Sequence, residues 1–221
     1  MELFSESNFV RLCGVCGGRP VYSHTSRGQD FFTFPLAVHR LSGCEDRLNL
    51  ILRREQLEAV SPEDGEKLLV TGELRSFNNR RGEGARLVIT VYVRDLSFCA
   101  EEDSNLIRLR GTLCKPPNLR QTPLGREICD LMLAVNRSYG RSDYLPCICW
   151  GSLARRAARW EPGQRVRLEG RVQSRDYRKL TESGPELRTA YEVSAGEMEE
   201  DLPDCLGGLS FPGAMTDRQD W

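Results

Sequence analysis

The sequence of 221 residues has few histidines and lysines and no long apolar run. Two histidines and three lysines stand beside 28 arginines. The longest apolar stretches, 87–93 and 131–135, have the length of a strand and not that of a membrane span. The first residues also lack the basic and apolar segments of a secretory signal. We therefore expect a cytoplasmic protein without a membrane association.

The motifs of common enzymes are also missing. The sequence contains no phosphate-binding P-loop, no glycine fingerprint for a dinucleotide, and no histidine paired with a plausible nucleophile. Among nine irregularly spaced cysteines, Cys13 and Cys16 are the one pair with metal or redox spacing, and a zinc site would need a second pair. We expect reduced cysteines that pack as small apolar residues, with no metal, no cofactor and no catalytic activity.

The net charge of −1 conceals an uneven distribution along the chain. Residues 104–196 carry 17 basic and 9 acidic side chains, whereas residues 197–221 carry one basic and seven acidic ones. This pattern suggests a site for a polyanion followed by an acidic extension, although a solvated charged surface is the alternative. The preference for arginine favours the polyanion, because a guanidinium both pairs with phosphate and stacks on bases.

The two halves of the sequence match each other at an offset of 97 or 98 residues. The matched segments are 10–14 with 107–111, 36–40 with 133–137, and 65–72 with 163–170. A nearly constant offset over this length indicates a duplication. Its period has the size of a small domain and is too long for a solenoid repeat.

Each repeat is predicted to contain five strands and one helix. In the second repeat we expect strands at 106–114, 128–137, 144–150, 165–173 and 187–194, and a helix at 152–160. In the first repeat we expect the helix at 53–60 and the fifth strand at 86–94. A helix between the third and fourth of five strands is the plan of the Greek-key oligonucleotide-binding (OB) fold. The sequence therefore predicts an all-β chain with two tandem OB-folds, at 1–100 and 104–196, and a disordered acidic tail at 197–221.

Aromatic residues recur among arginines in the second repeat. Flat rings stack on unpaired bases and cations follow the phosphates, so this mixture is typical of an interface for a single-stranded nucleic acid. Each ring could instead make a core or hairpin contact. That alternative is strongest for Trp150, which precedes a glycine and the helix, and weakest for Tyr177, whose basic neighbours indicate a solvated loop.

With these aromatic residues and arginines, the second repeat resembles the bacterial single-stranded DNA-binding proteins and their relative, primosomal replication protein N. The motifs that carry the resemblance lie at 133–139 (Leu-Ala-Val-Asn-Arg-Ser-Tyr), 144–154, 163–177 and 188–193. They cover the second repeat well and the first repeat more weakly. The resemblance implies sequence-tolerant binding of single-stranded DNA in replication, recombination or repair, near the nucleoid. It also implies a homo-oligomer, because family members use four such folds and two tandem chains would supply them.

The resemblance also implies the binding residues. Four aromatic side chains of the family stack on bases, and their positions here are Tyr139, Tyr144, Trp150 and Tyr177. We expect phosphate contacts from the basic residues around them, which are Arg137, Arg155, Arg171, Arg175, Arg178 and Lys179.

The first repeat departs from this pattern. Ser42, Arg47, Arg53 and Asn79 occupy the four ring positions, and none of them stacks as a ring does. We expect this repeat to serve packing or dimerisation, with an auxiliary nucleic-acid contact. The auxiliary residues are Arg75, Phe77, Arg80 and Arg81.

The tail and two alternative functions complete the sequence-based expectations. Family members end in an acidic tip that docks on replication and repair proteins. This chain ends in Asp217-Arg-Gln-Asp-Trp221, where Arg218 interrupts the acidic tip and the proline–phenylalanine ending is absent, so a plain solubilising tail is the alternative.

A protein-interaction scaffold remains open because the net charge is near zero. An RNA-binding protein remains open because stacking does not distinguish the sugar.

Overall fold

The elements of both repeats follow the order that the sequence predicts. The structure, a computed structural model, describes residues 7–79, 87–137, 140–181 and 184–201. The first repeat contains β1 (Asn8–Cys16), β2 (Val21–Ser26), β3 (Gln29–His39), β4 (Glu45–Arg53), α1 (Arg54–Val60), β5 (Lys67–Asn78) and β6 (Leu87–Phe98). The second repeat contains β7 (Ser104–Leu113), β8 (Asn118–Gln121), β9 (Glu127–Asn136), β10 (Ser142–Trp150), α2 (Gly151–Ala157), β11 (Arg165–Thr181) and β12 (Gly184–Glu200).

Each repeat closes into a barrel of five strands. In the first barrel the neighbours run β1, β3, β4, β6, β5 and back to β1. The second barrel repeats this order as β7, β9, β10, β12, β11 and back to β7. The helices follow β4 and β10, the third strands of their barrels. This topology confirms the predicted pair of tandem OB-folds.

The first strand of each barrel continues into a short extra strand that the sequence did not predict. β2 pairs with β3 and β8 pairs with β9, so each extra strand shares a partner with the strand before it. The interruptions, at 17–20 and 114–117, contain prolines, which cannot donate a backbone hydrogen bond to a ladder. Each repeat therefore has six strand segments around a barrel of five.

Several boundaries in the second repeat differ from the predicted ones. α2 ends at Ala157, three residues before the expected end, and Trp160 packs into the core beyond it. β11 and β12 are longer than expected and pair from Val166↔Glu200 to Thr181↔Gly184, apart from a bulge at 169–170. β12 thus includes the first four residues assigned to the acidic tail. Residues 202–221 lie outside the described part of the chain.

Alternation along the strands decides which side chains form the core. In β10 the residues Asp143, Leu145, Cys147 and Cys149 point inward and are buried, as the period of two requires. The cysteines mostly serve as the small apolar residues that we expected, and Cys13 and Cys16 both lie buried in β1. Burial raises the pKa of the Cys13 thiol to about 12.

Four glycines at matched repeat positions allow the backbone to pass close to a neighbouring strand. A β-carbon on Gly111 would lie 2.8 Å from the carbonyl oxygen of Ala134, and one on Gly14 would meet the equivalent oxygen of Ala37. Gly72 and Gly170 stand at bulges and approach the carbonyls of the next strand in the same way. The repeated glycines thus follow from the close approach of strands in a small barrel.

The two barrels join edge to edge into one continuous sheet. β1 pairs antiparallel with β7, from Asn8↔Leu109 to Cys13↔Ser104, which gives a sheet of 12 strands. The barrels therefore share a hydrogen-bonded ladder and are not linked by the connecting chain alone.

Two buried aspartates at matched positions add a reciprocal contact between the repeats. Asp46 accepts a hydrogen bond from the amide of Ser174 at 2.8 Å, and Asp143 accepts one from the amide of Ser76 at 2.5 Å. Each aspartate also pairs with an arginine of its own repeat. We call these two sets the aspartate bridges; they fix the third strand of each barrel against the fourth strand of the other.

Neither helix in the described residues is long and apolar enough to cross a membrane. Within the same residues, histidine, cysteine and acidic side chains form no cluster of three or more that could hold a metal ion.

Candidate nucleic-acid interface

The outer face of β10 presents two of the four predicted rings. Tyr144 and Trp150 alternate with the buried residues, and their side chains are 53% and 41% exposed. Trp150 is therefore not a core residue. A core position was the main alternative to a binding role for this ring. The two rings are six residues apart on one strand face, or about 20 Å.

The neighbouring hairpin carries a row of cations on the same face. Cys147 lies opposite Val193 in β12, and both are buried, so residues one step along each strand point outward. The register of β12 with β11 then places Arg171, Arg175, Tyr177 and Lys179 on that outward face. We call this row, with Tyr144 and Trp150, the second-repeat face. It brings six of the ten predicted binding residues together.

Tyr177 lies on a strand and not in the loop that its sequence suggested. It stands in β11 opposite Arg188 of β12 and is partly buried. Within the described part of the chain, residues 175–181 pair only with residues 184–190, which makes this part of the hairpin a two-stranded ribbon beyond the barrel. The carboxylate of Glu186 raises the pKa of the Arg188 guanidinium, and the phenol of Tyr177 adds to that rise. Arg188 and Tyr177 are directly opposed across the ribbon, so their side chains stand side by side on one face.

Two other predicted cations lie off this face. Arg178 follows Tyr177 and points to the opposite side of the ribbon, where Leu187 faces it. Arg155 is exposed on α2 and forms an ion pair with Glu127. Both remain accessible to a strand that extends past the rings, although neither is part of the row.

Arg137 is engaged in an aspartate bridge. Its guanidinium donates two hydrogen bonds to Asp143, one of them 2.6 Å long, and a third to the carbonyl oxygen of Ser76 at 3.1 Å. Arg75, an auxiliary residue, also reaches Asp143 at 3.1 Å. The structure therefore uses Arg137 and Arg75 to balance a buried carboxylate, and this occupies donors that the sequence assigned to phosphate.

Some of the predicted residues lie outside the described part of the chain. They are Tyr139, Arg80, Arg81 and the terminal Trp221.

In the first repeat, the outer face carries rings at positions that the family pattern does not mark. Arg47 and Arg53 stand in β4 where the second repeat has Tyr144 and Trp150. Phe77, however, is 50% exposed at the end of β5. His24, Phe31 and Tyr92 belong to the same region.

Sequence reasoning missed these three rings, together with Arg120 and Arg141. Arg120 lies in the unpredicted strand β8 and forms a bidentate pair with Asp130 at 2.6 and 2.9 Å. The alternation of β3, in which Phe31 falls on the outer face and Phe34 in the core, was a signal that could have identified Phe31.

Comparison with known proteins places the second repeat in a family. Residues 104–200 match the family model described as the single-strand binding protein family. The single-stranded DNA-binding protein B of Bacillus subtilis is 36% identical over 80 residues, which cover 33% of this chain and 71% of that protein. The chain belongs to the single-strand binding protein family.

Other members of this family are matched over a smaller share of their length. The single-stranded DNA-binding protein 2 of Listeria innocua is 35% identical over 80 residues, and the match spans about half of that protein and a third of this chain. The matches to these relatives therefore concern one repeat of the two.

Solved structures extend the likeness to both repeats. A deletion mutant of the single-stranded DNA binding protein from Thermus aquaticus is 25% identical, with a TM-score of 0.71, and the match covers 89% of this chain and 95% of that one. The wild-type Thermus protein has a TM-score of 0.72 at 24% identity, over 93% and 96% of the two chains. The Thermus protein thus shares the fold of this chain across both repeats.

Proposed function

We propose that this chain binds single-stranded DNA without strong sequence preference, and that the second-repeat face is its main binding surface. The observation that carries the proposal is the placement of Tyr144, Trp150 and Tyr177 on one exposed face with a row of cations. Each ring offers a surface to one base, and stacking contributes roughly 1–3 kcal/mol per base. Tyr139, the fourth ring, belongs to the same proposed set.

Cations of the ribbon neutralise the phosphates in this proposal. Arg171, Arg175 and Lys179 lie in the outward row and have no ion-pair partner among the described residues. Arg178 and Arg155 extend the basic surface to the far side of the ribbon and to α2. Arg137 acts as a positioning residue, because its guanidinium is held by Asp143.

The wider roles follow from family membership and are part of the proposal. Binding without catalysis would protect single strands during replication, recombination or repair in the cytoplasm, near the nucleoid. Two chains would associate to supply four OB-folds. The first repeat would serve packing and dimerisation with an auxiliary DNA contact.

The acidic C-terminal residues would dock replication or repair proteins in this proposal. A chain ending at Asp201 would keep its affinity for DNA and lose such a partner. Unchanged partner binding by the shortened chain would make the tail a solubilising segment only.

The test of the main function is a fluorescence-anisotropy titration of labelled poly-dT at two salt concentrations. The loss of two stacking rings in Trp150→Ala/Tyr177→Ala should weaken binding by about 30-fold or more. Phe98→Ala is the matched control, because this ring is 53% exposed at the end of β6, away from the face. Equal affinity of the double variant and the control would remove the site from these rings.

The titration also separates the alternative functions. An absence of binding at low salt would refute DNA binding and favour a protein-interaction scaffold. Competition by poly-U as strong as that by poly-dT would favour a protein that does not distinguish RNA from DNA.

Full-length variants suit this test better than isolated repeats. Separation at residue 103 would expose the edges of β1 and β7 along six paired residues each. It would also leave Asp46 and Asp143 without their serine partners. A weak isolated repeat would therefore report damaged folding and not a missing binding site.

A further inference from the structure

Two thiols meet where the first repeat is joined to the second. The Sγ atoms of Cys13 and Cys99 lie 2.7 Å apart, although the two residues are separated by 86 positions along the chain. Cys13 belongs to β1, and Cys99 directly follows β6. A disulfide bond is about 2.05 Å long, so these sulfurs need to move by less than about 1 Å to reach bonding distance. We call these two residues the thiol pair.

Cys13 is buried outside the core of the barrel. Along β1, Leu12 and Cys16 point inward and belong to the core, whereas the alternation of the strand turns Cys13 to the outer face. Cys13 is nevertheless 0% exposed. Another part of the chain must therefore lie across the outer face of β1 and cover this thiol.

The covering element consists of residues 99–103, which join the two repeats and which we call the connecting segment. The strand order β6, β5, β1, β7 requires the chain between β6 and β7 to pass β5 and β1. The amide of Cys99 donates a hydrogen bond of 3.1 Å to the carbonyl oxygen of Lys67, the first residue of β5. The thiol of Cys13 donates one of 3.5 Å to the carbonyl oxygen of Glu101. The connecting segment thus closes over Cys13 and brings Cys99 to it.

Two acidic side chains fix the connecting segment to the first barrel. Glu101 forms an ion pair of 2.6 Å with Arg11 of β1. Asp103 accepts a hydrogen bond of 2.7 Å from the amide of His39 and forms an ion pair of 3.0 Å with Lys67. Because the segment is held at these points, the contact between the two thiols is a fixed feature of the junction.

The two thiols differ in access and in reactivity. Cys13 is fully buried, and burial raises the pKa of its thiol to about 12, whereas Cys99 is half-buried. The hydrogen bond to Asp103 raises the pKa of the Lys67 ammonium, and the two nearby thiols add to that rise. A cation beside a thiol favours the thiolate, which is the nucleophile in thiol–disulfide exchange. A reagent in solution therefore meets Cys99 first, with Lys67 beside it.

We propose that Cys13 and Cys99 form a reversible disulfide bond when the protein meets a small disulfide such as oxidised glutathione. The Cys99 thiolate attacks one sulfur of the small disulfide, its S–S bond breaks, and one glutathione thiol leaves. Cys13 then attacks the Cys99 sulfur, the mixed disulfide breaks, and the second glutathione leaves as a thiol with the proton that Cys13 loses. The two protein thiols are oxidised, and the small disulfide is reduced to two thiols.

The bond would close a loop around nearly the whole first repeat. It would tie β1 to the segment that follows β6, and Cys13 is also the residue of β1 that lies opposite Ser104 at the start of β7. Oxidation would therefore stabilise the first barrel next to the ladder that joins it to the second. Neither cysteine belongs to the second-repeat face, so the inference does not depend on DNA binding.

Peptide mapping identifies the bond. The reduced full-length protein is equilibrated with mixtures of reduced and oxidised glutathione, free thiols are blocked in acid, and tryptic peptides are analysed by mass spectrometry without reduction. A link between peptides 12–27 and 95–108, which contain the thiol pair, is expected, and its yield should rise with the oxidised fraction. Peptide 12–27 also contains Cys16, so Cys16→Ala should keep the link and Cys13→Ala should abolish it.

The exposed cysteines Cys44 and Cys114 are the internal control for the oxidant. They should carry glutathione in the same samples, which shows that the reagent is active. Glutathione on these residues without a link between 12–27 and 95–108 would overturn the proposal. A Cys99 that remains a mixed disulfide with glutathione would also overturn it, because Cys13 would then fail to reach the Cys99 sulfur.

Thermal unfolding supplies the second test. The oxidised wild type should unfold at least about 5 °C above the reduced protein, because a disulfide across a long loop restricts the unfolded chain. Cys99→Ala, at a half-buried position, should unfold at one temperature in both buffers, whereas Cys44→Ala should behave as the wild type does. Equal unfolding temperatures of the oxidised and the reduced wild type would contradict the proposed closure of the first barrel.

Discussion

Individual side chains hold the two barrels in a fixed relation. Asp143 is fully buried and accepts hydrogen bonds from Arg137, Arg75 and the amide of Ser76. Asp46 repeats the arrangement with Arg40 and Ser174. A buried carboxylate without partners would be costly, and each aspartate obtains its partners from an arginine of its own barrel and a serine amide of the other.

Removal of the charge at Asp143 should destabilise the protein strongly. Asp143→Asn leaves the guanidinium of Arg137 without its counter-ion. Breaking a buried pair costs about 3–5 kcal/mol, and because the Arg137 side chain is 26% exposed we expect a loss at the lower end of this range. Urea denaturation measures the change in the free energy of unfolding. Glu102→Gln, at an exposed position in the segment between the repeats, is the control and should change stability little. A loss below about 1 kcal/mol for Asp143→Asn would mean that the bridge contributes little.

Matched asparagines serve a similar purpose within each barrel. Asn8 pairs its side-chain amide with both backbone groups of Leu74, at 2.8 and 2.9 Å. Asn105 does the same with Val172, at 2.7 and 3.0 Å. Both sets lie just beyond the bulges at 71–72 and 169–170, where the strand leaves its ladder. The side-chain amide thus replaces a missing backbone partner.

At the scale of secondary-structure elements, the β11–β12 ribbon distinguishes the two repeats in the chemistry of their surfaces. It projects cations and Tyr177 away from the barrel, on strands that pair only with each other. The corresponding β5–β6 hairpin of the first repeat carries Phe77 instead. The same element has therefore diverged in the chemistry of its outer face while the barrels have kept one topology.

The salt dependence of binding should separate a ribbon arginine from a bridge arginine. Arg175→Gln removes one phosphate contact in our proposal, and this should reduce the slope of log affinity against log salt by about 0.7. Arg137→Gln should leave that slope unchanged and lower the urea midpoint, because Arg137 already pairs with Asp143. Poly-dT titrations over a series of salt concentrations measure both slopes. The opposite result would restore the sequence-based expectation that Arg137 contacts phosphate.

At the scale of the whole molecule, the chain contains two OB-folds that are joined through their first strands. β1 and β7 already pair with each other, so the first strands of the barrels are not free edges in this chain. Further assembly must therefore use another surface. The proposed dimer places four barrels in one particle.

The dimer predicts a solution mass of twice 25.1 kDa. Light scattering after size exclusion, at micromolar concentration and without DNA, measures this mass. Asp143→Asn provides a useful comparison, because a change of mass in this variant would connect its loss of stability to assembly. A mass of one chain for the wild type would contradict the dimer.

Much of the architecture could be predicted because it depends on local patterns. The duplication, the strands at the matched segments and the two OB-folds follow from periodicity and from glycines at repeated positions. Tyr144 and Trp150 were found from motif spacing, and the alternation of β10 explains their exposure. Tyr177 was assigned to a loop because basic residues surround it, whereas cross-strand pairing keeps the ribbon extended.

The sequence by itself determined the family, the repeat and the rings at the family's positions, since each of these depends on residue identity at a spacing along the chain. The tertiary structure decided the rest. Pairing of β1 with β7 brings Asp143 to Ser76 and turns Arg137 into a structural residue. Closure of the first barrel gathers His24, Phe31, Phe77 and Tyr92, which lie up to 68 residues apart, beside Arg141 of the other repeat. No local pattern encodes such a cluster, because its members become neighbours only through long-range strand pairing.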